Sequence, residues 1–383
     1  MRGALLSLLL VLAGCGGESV APDGGVGLDA YSPPPPDAGL EGPPPDARVP
    51  LPGRDAGIEP STDGGAPDAG PPPPDDVRFV LMGDTGEGNA DQRAVAVAIR
   101  DYCALEGCDF VILLGDNIYD SGASSVDDPQ WTTKFEDPYR DVELPFYAVL
   151  GNHDYGGVLF GRDSGGLGNE WDKGPVEVMY SARSTKWTMP DTHYTFQVGN
   201  VGFVMMDTNS ILWDDTTNGD QRAWFPGAVA DLRASGAEWI MAAGHHPLRS
   251  NGAHGNAGSY ESLEIGGVDV PIPIPIMDGR NFRRFMHDYV CGNVDFAFAG
   301  HDHNRQWLDE PDACGGTELV VNGAGAKTKS FDRDDRNAAH WQNDAIEGFM
   351  YVHISGDTMI GRFIDSSGAV EYERMLMRPS ASW

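Results

Sequence analysis

Val111-Ile112-Leu113-Leu114-Gly115-Asp116-Asn117-Ile118-Tyr119-Asp120 decides how this chain is read. Four apolar residues run straight into a glycine, the mark of a short buried strand. Residues just past such a strand sit in the crevice where open α/β sheets place their ligands. Asp116 and Tyr119 are presented there together, one a carboxylate and the other a phenol. Two hard oxygen donors at one strand end point to a metal, so the question is what partners the rest of the chain supplies.

Partners recur on both sides of that stretch. Upstream, residues 77–82 form an apolar run that ends in Gly83-Asp84-Thr85-Gly86. Between the two runs, residues 92–105 show helical spacing, with Val95, Ala98, Ile99 and Tyr102 on one face. A strand–helix–strand unit predicts a parallel pair with a right-handed crossover, which puts Asp84 and Asp116 on the same sheet edge. Downstream, residues 145–150 are a third apolar run, ending in Gly151-Asn152-His153-Asp154. One such ending is ordinary turn chemistry, but three within about seventy residues are more than turns require. Two later runs behave alike: residues 239–243 lead into Gly244-His245-His246-Pro247, and residues 295–299 into Gly300-His301-Asp302-His303.

The remaining elements fill in around these. Residues 131–139, 221–233 and 280–290 read as helices, and residues 194–198 and 201–206 as a hairpin around Gly199-Asn200. Residues 155–190 read as a surface excursion near the site. The alternating prolines of Val270-Pro271-Ile272-Pro273-Ile274-Pro275 exclude a central strand and suggest an edge or a loop over the site. Residues 318–321, 349–354, 359–364 and 370–377 supply further strands, consistent with a second sheet.

The whole chain sets the bounds. Its 383 residues suffice for a substantial core. A formal net charge of -32 argues against a nucleic-acid partner, because phosphate backbones need a basic face. Arg2, the apolar residues 5–12 and Leu12-Ala13-Gly14-Cys15 read as an export signal over residues 1–15. Its end resembles a bacterial lipobox, so the expected protein is exported and tethered through a lipid on Cys15, or otherwise secreted. Residues 16–76 carry twelve acidic residues against two arginines, broken by proline runs. Such a stretch buries too little apolar surface to fold and reads as a disordered linker ahead of a catalytic domain over residues 77–383. The cysteines beyond Cys15 are even in number, which favours disulfides in an exported chain. Of the three possible pairings, the local ones, Cys103 with Cys108 and Cys291 with Cys314, are preferred.

The strand ends together offer Asp84, Asp116, Tyr119, Asn152, His153, His245, His301 and His303. A lone histidine beside a strand is more often structural than a ligand, but here that reading must hold at strand end after strand end. Carboxylate and imidazole donors suit iron, zinc and manganese. A bridging carboxylate can hold two ions about 3.5–4 Å apart, the arrangement of two-metal phosphatases and nucleases. No nucleophilic serine or cysteine signature accompanies these residues.

The set Gly83-Asp84-Thr85-Gly86, Gly115-Asp116-Asn117-Ile118-Tyr119, Gly151-Asn152-His153-Asp154, Gly244-His245 and Gly300-His301-Asp302-His303 resembles that of the calcineurin-like metallophosphoesterase superfamily. Tyr119, three residues after Asp116, narrows the resemblance to purple acid phosphatases of the short, mammalian-type, tartrate-resistant form. The match runs over about residues 77–326, with a β tail to 377. It implies an α/β fold, a metallophosphoesterase-type sandwich of two mixed β-sheets flanked by helices with a dimetal site at the strand ends.

The resemblance further implies that Asp84, Asp116, Tyr119 and His303 hold ferric iron. Asp116, Asn152, His245 and His301 would hold a second, divalent ion (iron, zinc or manganese), with Asp116 bridging. His153 matches the histidine that contacts phosphate and protonates the leaving alkoxide, and His254 resembles a second substrate histidine. The implied activity is hydrolysis of phosphate monoesters. A phosphodiesterase of the same superfamily and a non-catalytic surface-binding lipoprotein are the alternatives. Loss of a ligand would favour the latter, and none is lost. Departures from the pattern are His246, which stands where a tyrosine is expected, an insertion over residues 268–276, and the loop after Asp154.

Overall fold

The computed structural model describes residues 76–158, 165–261, 263–265, 268–270 and 272–378. The expected signal with Cys15, and the expected linker up to residue 75, lie outside the described residues.

The chain opens with β1 (Asp76–Met82), which is buried along almost its whole length, as a strand covered on both faces must be. α1 (Ala90–Glu106) begins where the Asn89 side chain accepts the backbone N–H of Gln92 at 2.8 Å. Its buried face is Val95, Ala98, Ile99 and Tyr102, the spacing expected from sequence. β2 (Phe110–Leu113), β3 (Phe146–Ala148) and β4 (Trp187–Thr188) follow, each parallel to the strand before it in the same sheet. β5 (Tyr194–Val198) and β6 (Val201–Met205) form the expected hairpin. After them come β7 (Trp239–Ala243), β8 (Leu263–Ile265), β9 (Val268–Val270), β10 (Phe296–Ala299), β11 (Arg305–Leu308), β12 (Glu318–Asn322) and β13 (Ala339–Asn343). The last three are β14 (Gly348–Ser355), β15 (Thr358–Asp365) and β16 (Val370–Met377). Further helices are α2 (Asn152–Tyr155), α3 (Gly174–Tyr180), α4 (Thr208–Trp213), α5 (Gln221–Ala234), α6 (Pro275–Asp278) and α7 (Arg280–Phe285).

Two seven-stranded mixed sheets result, ordered β16-β15-β14-β1-β2-β3-β4 and β13-β11-β12-β10-β7-β6-β5, with β8 and β9 paired apart from both. Their inner faces meet through aromatic rings. Phe79 of β1 stacks on Phe110 of β2 at 5.2 Å and meets Phe203 of β6 edge-on at 5.3 Å and Phe298 of β10 at 6.5 Å. Burying each ring contributes roughly 1.5–3 kcal/mol. On the outside of the second sheet, Ile240, Ala242 and Leu319 pack with Phe225 and Leu232 of α5 and Phe282 and Phe285 of α7. Across the first sheet, Tyr102 of α1 meets Phe349 and Tyr351 of β14. The two sheets flanked by helices are the architecture expected from sequence, and both local disulfides form.

Several expectations need correction. Of the four strands expected to supply the second sheet, only that at 318–322 joins it; β14, β15 and β16 extend the first, with β14 antiparallel to β1. Without β14, β1 would keep an unpaired ladder of backbone groups on that side. The helix expected over 131–139 is a five-residue π turn, Thr132–Glu136, closed off by Pro138, which has no N–H to continue it. Residues 280–290 likewise divide into α7 and a π turn, Met286–Val290. The excursion over 155–190 contains α3 and β4, and β11 and β13 were not foreseen.

Candidate metal centre

The candidate residues come together, though not along one sheet edge. Asp84, Asp116 and Asn152 follow β1, β2 and β3 of the first sheet, while His245 and His301 follow β7 and β10 of the second. The centre therefore lies where the carboxyl ends of two facing sheets converge. Asp84, Asp116 and His301 have φ of 58°, 53° and 69°, left-handed values that non-glycine residues rarely adopt. That the same strain recurs at three strand ends marks a functional turn. The glycines beside them make room. A Cβ on Gly115 would lie 2.7 Å from His245 Nδ1, and one on Gly151 would lie 2.2 Å from Asp116 Oδ1.

Asp116 stands in the middle. Its Oδ2 is 2.8 Å from the Tyr119 hydroxyl and 3.4 Å from His245 Nε2. Tyr119 Oη is also 2.8 Å from Asp84 Oδ1 and 3.2 Å from His303 Nε2, and His303 Nε2 is 3.3 Å from Asp84 Oδ1. These four residues form one group. On the other side of Asp116, His245 Nε2 lies 3.1 Å from Asn152 Oδ1 and 3.1 Å from His301 Nδ1. The Leu114 carbonyl accepts from His245 Nδ1 at 2.8 Å. That places a proton on Nδ1 and turns Nε2 to the centre, the usual second-sphere arrangement of a ligating histidine.

The donors fit a cation better than they fit each other. One phenolic proton serves Asp84, Asp116 and His303 at once, and two imidazole nitrogens face each other beside a carboxylate. Asp84, Asp116 and His245 are buried with ligand atoms within 4.8 Å of one another, as are His245, His246 and His301. Burial, with the fields of Asp116 and Asp84, pushes the Tyr119 phenol well above its usual value. A phenolate here needs a positive ion to replace its proton. Burial works against charge on Asp116, but His245 and His153 outweigh it and hold the carboxyl well below the usual range. Burial lowers His245 as well, yet Asp116 raises it to about 9. Burial and the surrounding imidazoles push His301 well below 6.5.

His153 and His254 flank the group. The His153 backbone N–H donates to Asp116 Oδ1 at 2.9 Å. Its ring lies 4.6 Å from that of Tyr119, with Nδ1 2.7 Å from the Asp120 carbonyl. His254 lies 4.0 Å from the His301 ring and bonds Glu261 Oε1 through Nδ1 at 2.7 Å. Burial opposes charge on His254, but Glu261 and Asp302 raise it above its usual value. His246 Nδ1 meets Thr208 Oγ1 at 2.8 Å, and burial with the His245 field pushes it well below 6.5. Sequence reasoning missed Thr208, which receives the backbone N–H groups of His245 and His246 at 3.2 and 3.1 Å. It also missed Glu261 behind His254. Neither follows a strand-end glycine, the signal that marks the other residues.

Residues 77–305 match the family model described as calcineurin-like phosphoesterase. The chain belongs to that family. It is 26% identical over 335 residues to the human tartrate-resistant acid phosphatase type 5, covering 79% of this chain and 91% of that one. It is 27% identical to purple acid phosphatase 3 of Arabidopsis thaliana, covering 77% of this chain and 76% of that one. Two solved structures share the fold. GAP50, described as the anchor in the inner membrane complex of Plasmodium, aligns with a TM-score of 0.57 at 20% identity, covering 80% of this chain and 90% of that one. PhoD aligns with a TM-score of 0.51 at 13% identity, covering 82% and 70%.

Proposed function

We propose that the chain hydrolyses phosphate monoesters at a dinuclear metal centre, with acid-phosphatase-like activity. Ferric iron would be held by Asp84, Asp116, Tyr119 and His303, and a divalent iron, zinc or manganese ion by Asp116, Asn152, His245 and His301. The observation that carries this is the position of Asp116 Oδ2, between the Tyr119 hydroxyl at 2.8 Å and His245 Nε2 at 3.4 Å. The acid phosphatase relatives, matched over most of their own length, support the same reading.

When bound, the ions supply Lewis acidity and an activated water. The protein does the rest. With Nδ1 donating to the Asp120 carbonyl, the imidazolium form of His153 carries its second proton at Nε2, from which that proton would pass to the leaving alkoxide and leave the ring neutral. His254, held by Glu261, would bind a phosphate oxygen in its protonated form. Asp154 and Asp116 orient the backbone that presents His153 and Asn152. Residues 1–15 would direct export, with a lipid on Cys15, and residues 16–76 would space the catalytic domain from the membrane. No helix among the described residues is long and apolar enough to cross one.

The test is metal analysis of the purified protein beside rates on a phosphate monoester and a diester across pH. About two ions per chain and monoester turnover favoured at acidic pH are expected. Faster turnover of the diester would favour a phosphodiesterase, and metal-free protein with no turnover would leave only a binding role.

A further inference from the structure

The ring of Tyr119 has a close neighbour that no motif marks. Lys327 follows β12 by a few residues, and its Nζ lies 3.3 Å from the centroid of the Tyr119 ring. The lysine is pinned there. Glu87 Oε1 lies 2.5 Å from Nζ, the Asn89 side chain donates to the Ala326 carbonyl at 2.8 Å, and the Gly325 N–H donates to the Gly83 carbonyl at 3.0 Å. Lys134 Nζ donates to the Tyr119 carbonyl, so the tyrosine backbone is fixed as well. The Oη of this same residue reaches Asp84, Asp116 and His303.

A cation over an aromatic face draws on the ring electrons, more strongly once the site is shielded from water. A phenolate has more charge to offer than a phenol, so the same contact lowers the energy of the electrons it would donate to a metal. We propose that Lys327 tunes Tyr119 as a metal donor, weakening the phenolate toward ferric iron and making that iron easier to reduce. Lys327 acts through Tyr119 and is thus a positioning residue; Glu87 sets how much of its charge the ring feels. The inference rests on the assignment of ferric iron to the tyrosine site.

The experiment compares the iron-loaded full chain with its Lys327→Met, Lys327→Arg and Glu87→Gln variants, reading the visible phenolate-to-iron absorption band and the ferric/ferrous midpoint. For Lys327→Met the band is expected at longer wavelength. Its ferric/ferrous equilibrium should move about tenfold toward ferric iron, a midpoint about 59 mV more negative. Lys327→Arg should restore both toward wild type. Glu87→Gln, which leaves the ammonium without its counter-charge, should move both the opposite way. An unchanged band and midpoint in Lys327→Met overturns the proposal while the tyrosine assignment stands. Shifts of one sign in Lys327→Met and Glu87→Gln also overturn it, because they report distortion rather than charge. If Lys327→Met does not fold, the direction of the Glu87→Gln shift decides. A wild type without a visible band overturns the tyrosine assignment and the proposal with it.

Discussion

The carboxylate of Asp154 accepts the backbone N–H of Asn117 at 2.7 Å and its side-chain amide at 3.0 Å. The same carboxylate takes Ile118 N at 3.0 Å and Gly151 N at 2.8 Å, so one buried group ties the turn after β2 to the turn after β3. Glu177 closes the cluster through the Asn117 amide at 3.2 Å. Burial and the Asp116 field raise Asp154 to about 7, and burial and Asp154 raise Glu177 well above its usual value. Asp116, Tyr119 and Asn152, the proposed ligands that follow β2 and β3, are positioned by this knot. Replacing Asp154 with alanine leaves three buried N–H groups unpaired, at about 1–3 kcal/mol each before relaxation. The expected outcome is a loss of several kcal/mol of stability in urea titrations, together with weaker metal retention on dialysis. Wild-type stability and metal content would show that the knot is not what sets the turns.

Asp116→Ala removes the one carboxylate that both halves of the centre share. Activity and metal content should fall together, with fewer than two ions left per chain by elemental analysis. Asp116 is buried, so folding is checked by circular dichroism on the same sample. A folded Asp116→Ala variant with full metal content and turnover would exclude a bridging role.

Tyr119→Phe keeps the ring under Lys327 and removes only the hydroxyl. The iron-loaded variant should lose its visible band while retaining the secondary structure of the wild type. Metal binding at His245, Asn152 and His301 should persist, because these three are held through one another rather than through the Tyr119 hydroxyl. Retention of the band would assign the colour to some other donor.

Most of this centre was legible because the chemistry demands particular residues at strand ends, and strand ends are local in sequence. Gly115 and Gly151 stand where any Cβ would strike His245 or Asp116, so the glycine-plus-ligand pattern is itself a steric record of the site. What was not legible depends on long-range pairing. Nothing in residues 349–354 says that they will lie beside β1 rather than β12; that choice is made by which edges remain open once the sheets assemble. Glu261 and Lys327 reach the site from outside the regular strands and helices, with no periodicity to announce them. The π turns at Thr132–Glu136 and Met286–Val290 share their apolar pattern with ordinary helices and so were read as such.

His153→Ala should discriminate between leaving groups. If Nε2 delivers the proton to the departing oxygen, loss of the ring slows alkyl phosphates by about 100-fold or more. Activated aryl phosphates, whose leaving oxygen needs no proton, should slow far less. The measurement is kcat on a series of esters graded by leaving-group acidity, which should steepen in the variant. Equal slowing across the series would make His153 a phosphate-binding residue only.

Asp207 offers a pH test away from the proposed metal ligands. It caps α4, accepting Ser210 N at 3.1 Å, and takes the Tyr155 hydroxyl at 2.6 Å. Burial raises its carboxyl to about 6, with the Tyr155 and Ser210 hydrogen bonds holding it from going further. The folded value lies above the unfolded one, so the native state binds the proton more tightly. Its contribution is therefore complete below about pH 4 and is lost as pH rises through 6, in all about 3 kcal/mol. Asp207→Asn keeps an acceptor for Ser210 and does not titrate. Between pH 4 and 7 the variant should gain about 3 kcal/mol relative to wild type in urea unfolding of the metal-free protein. A difference between the two that stays flat over that range would mean that Asp207 ionises in the native state as freely as it does in the unfolded chain.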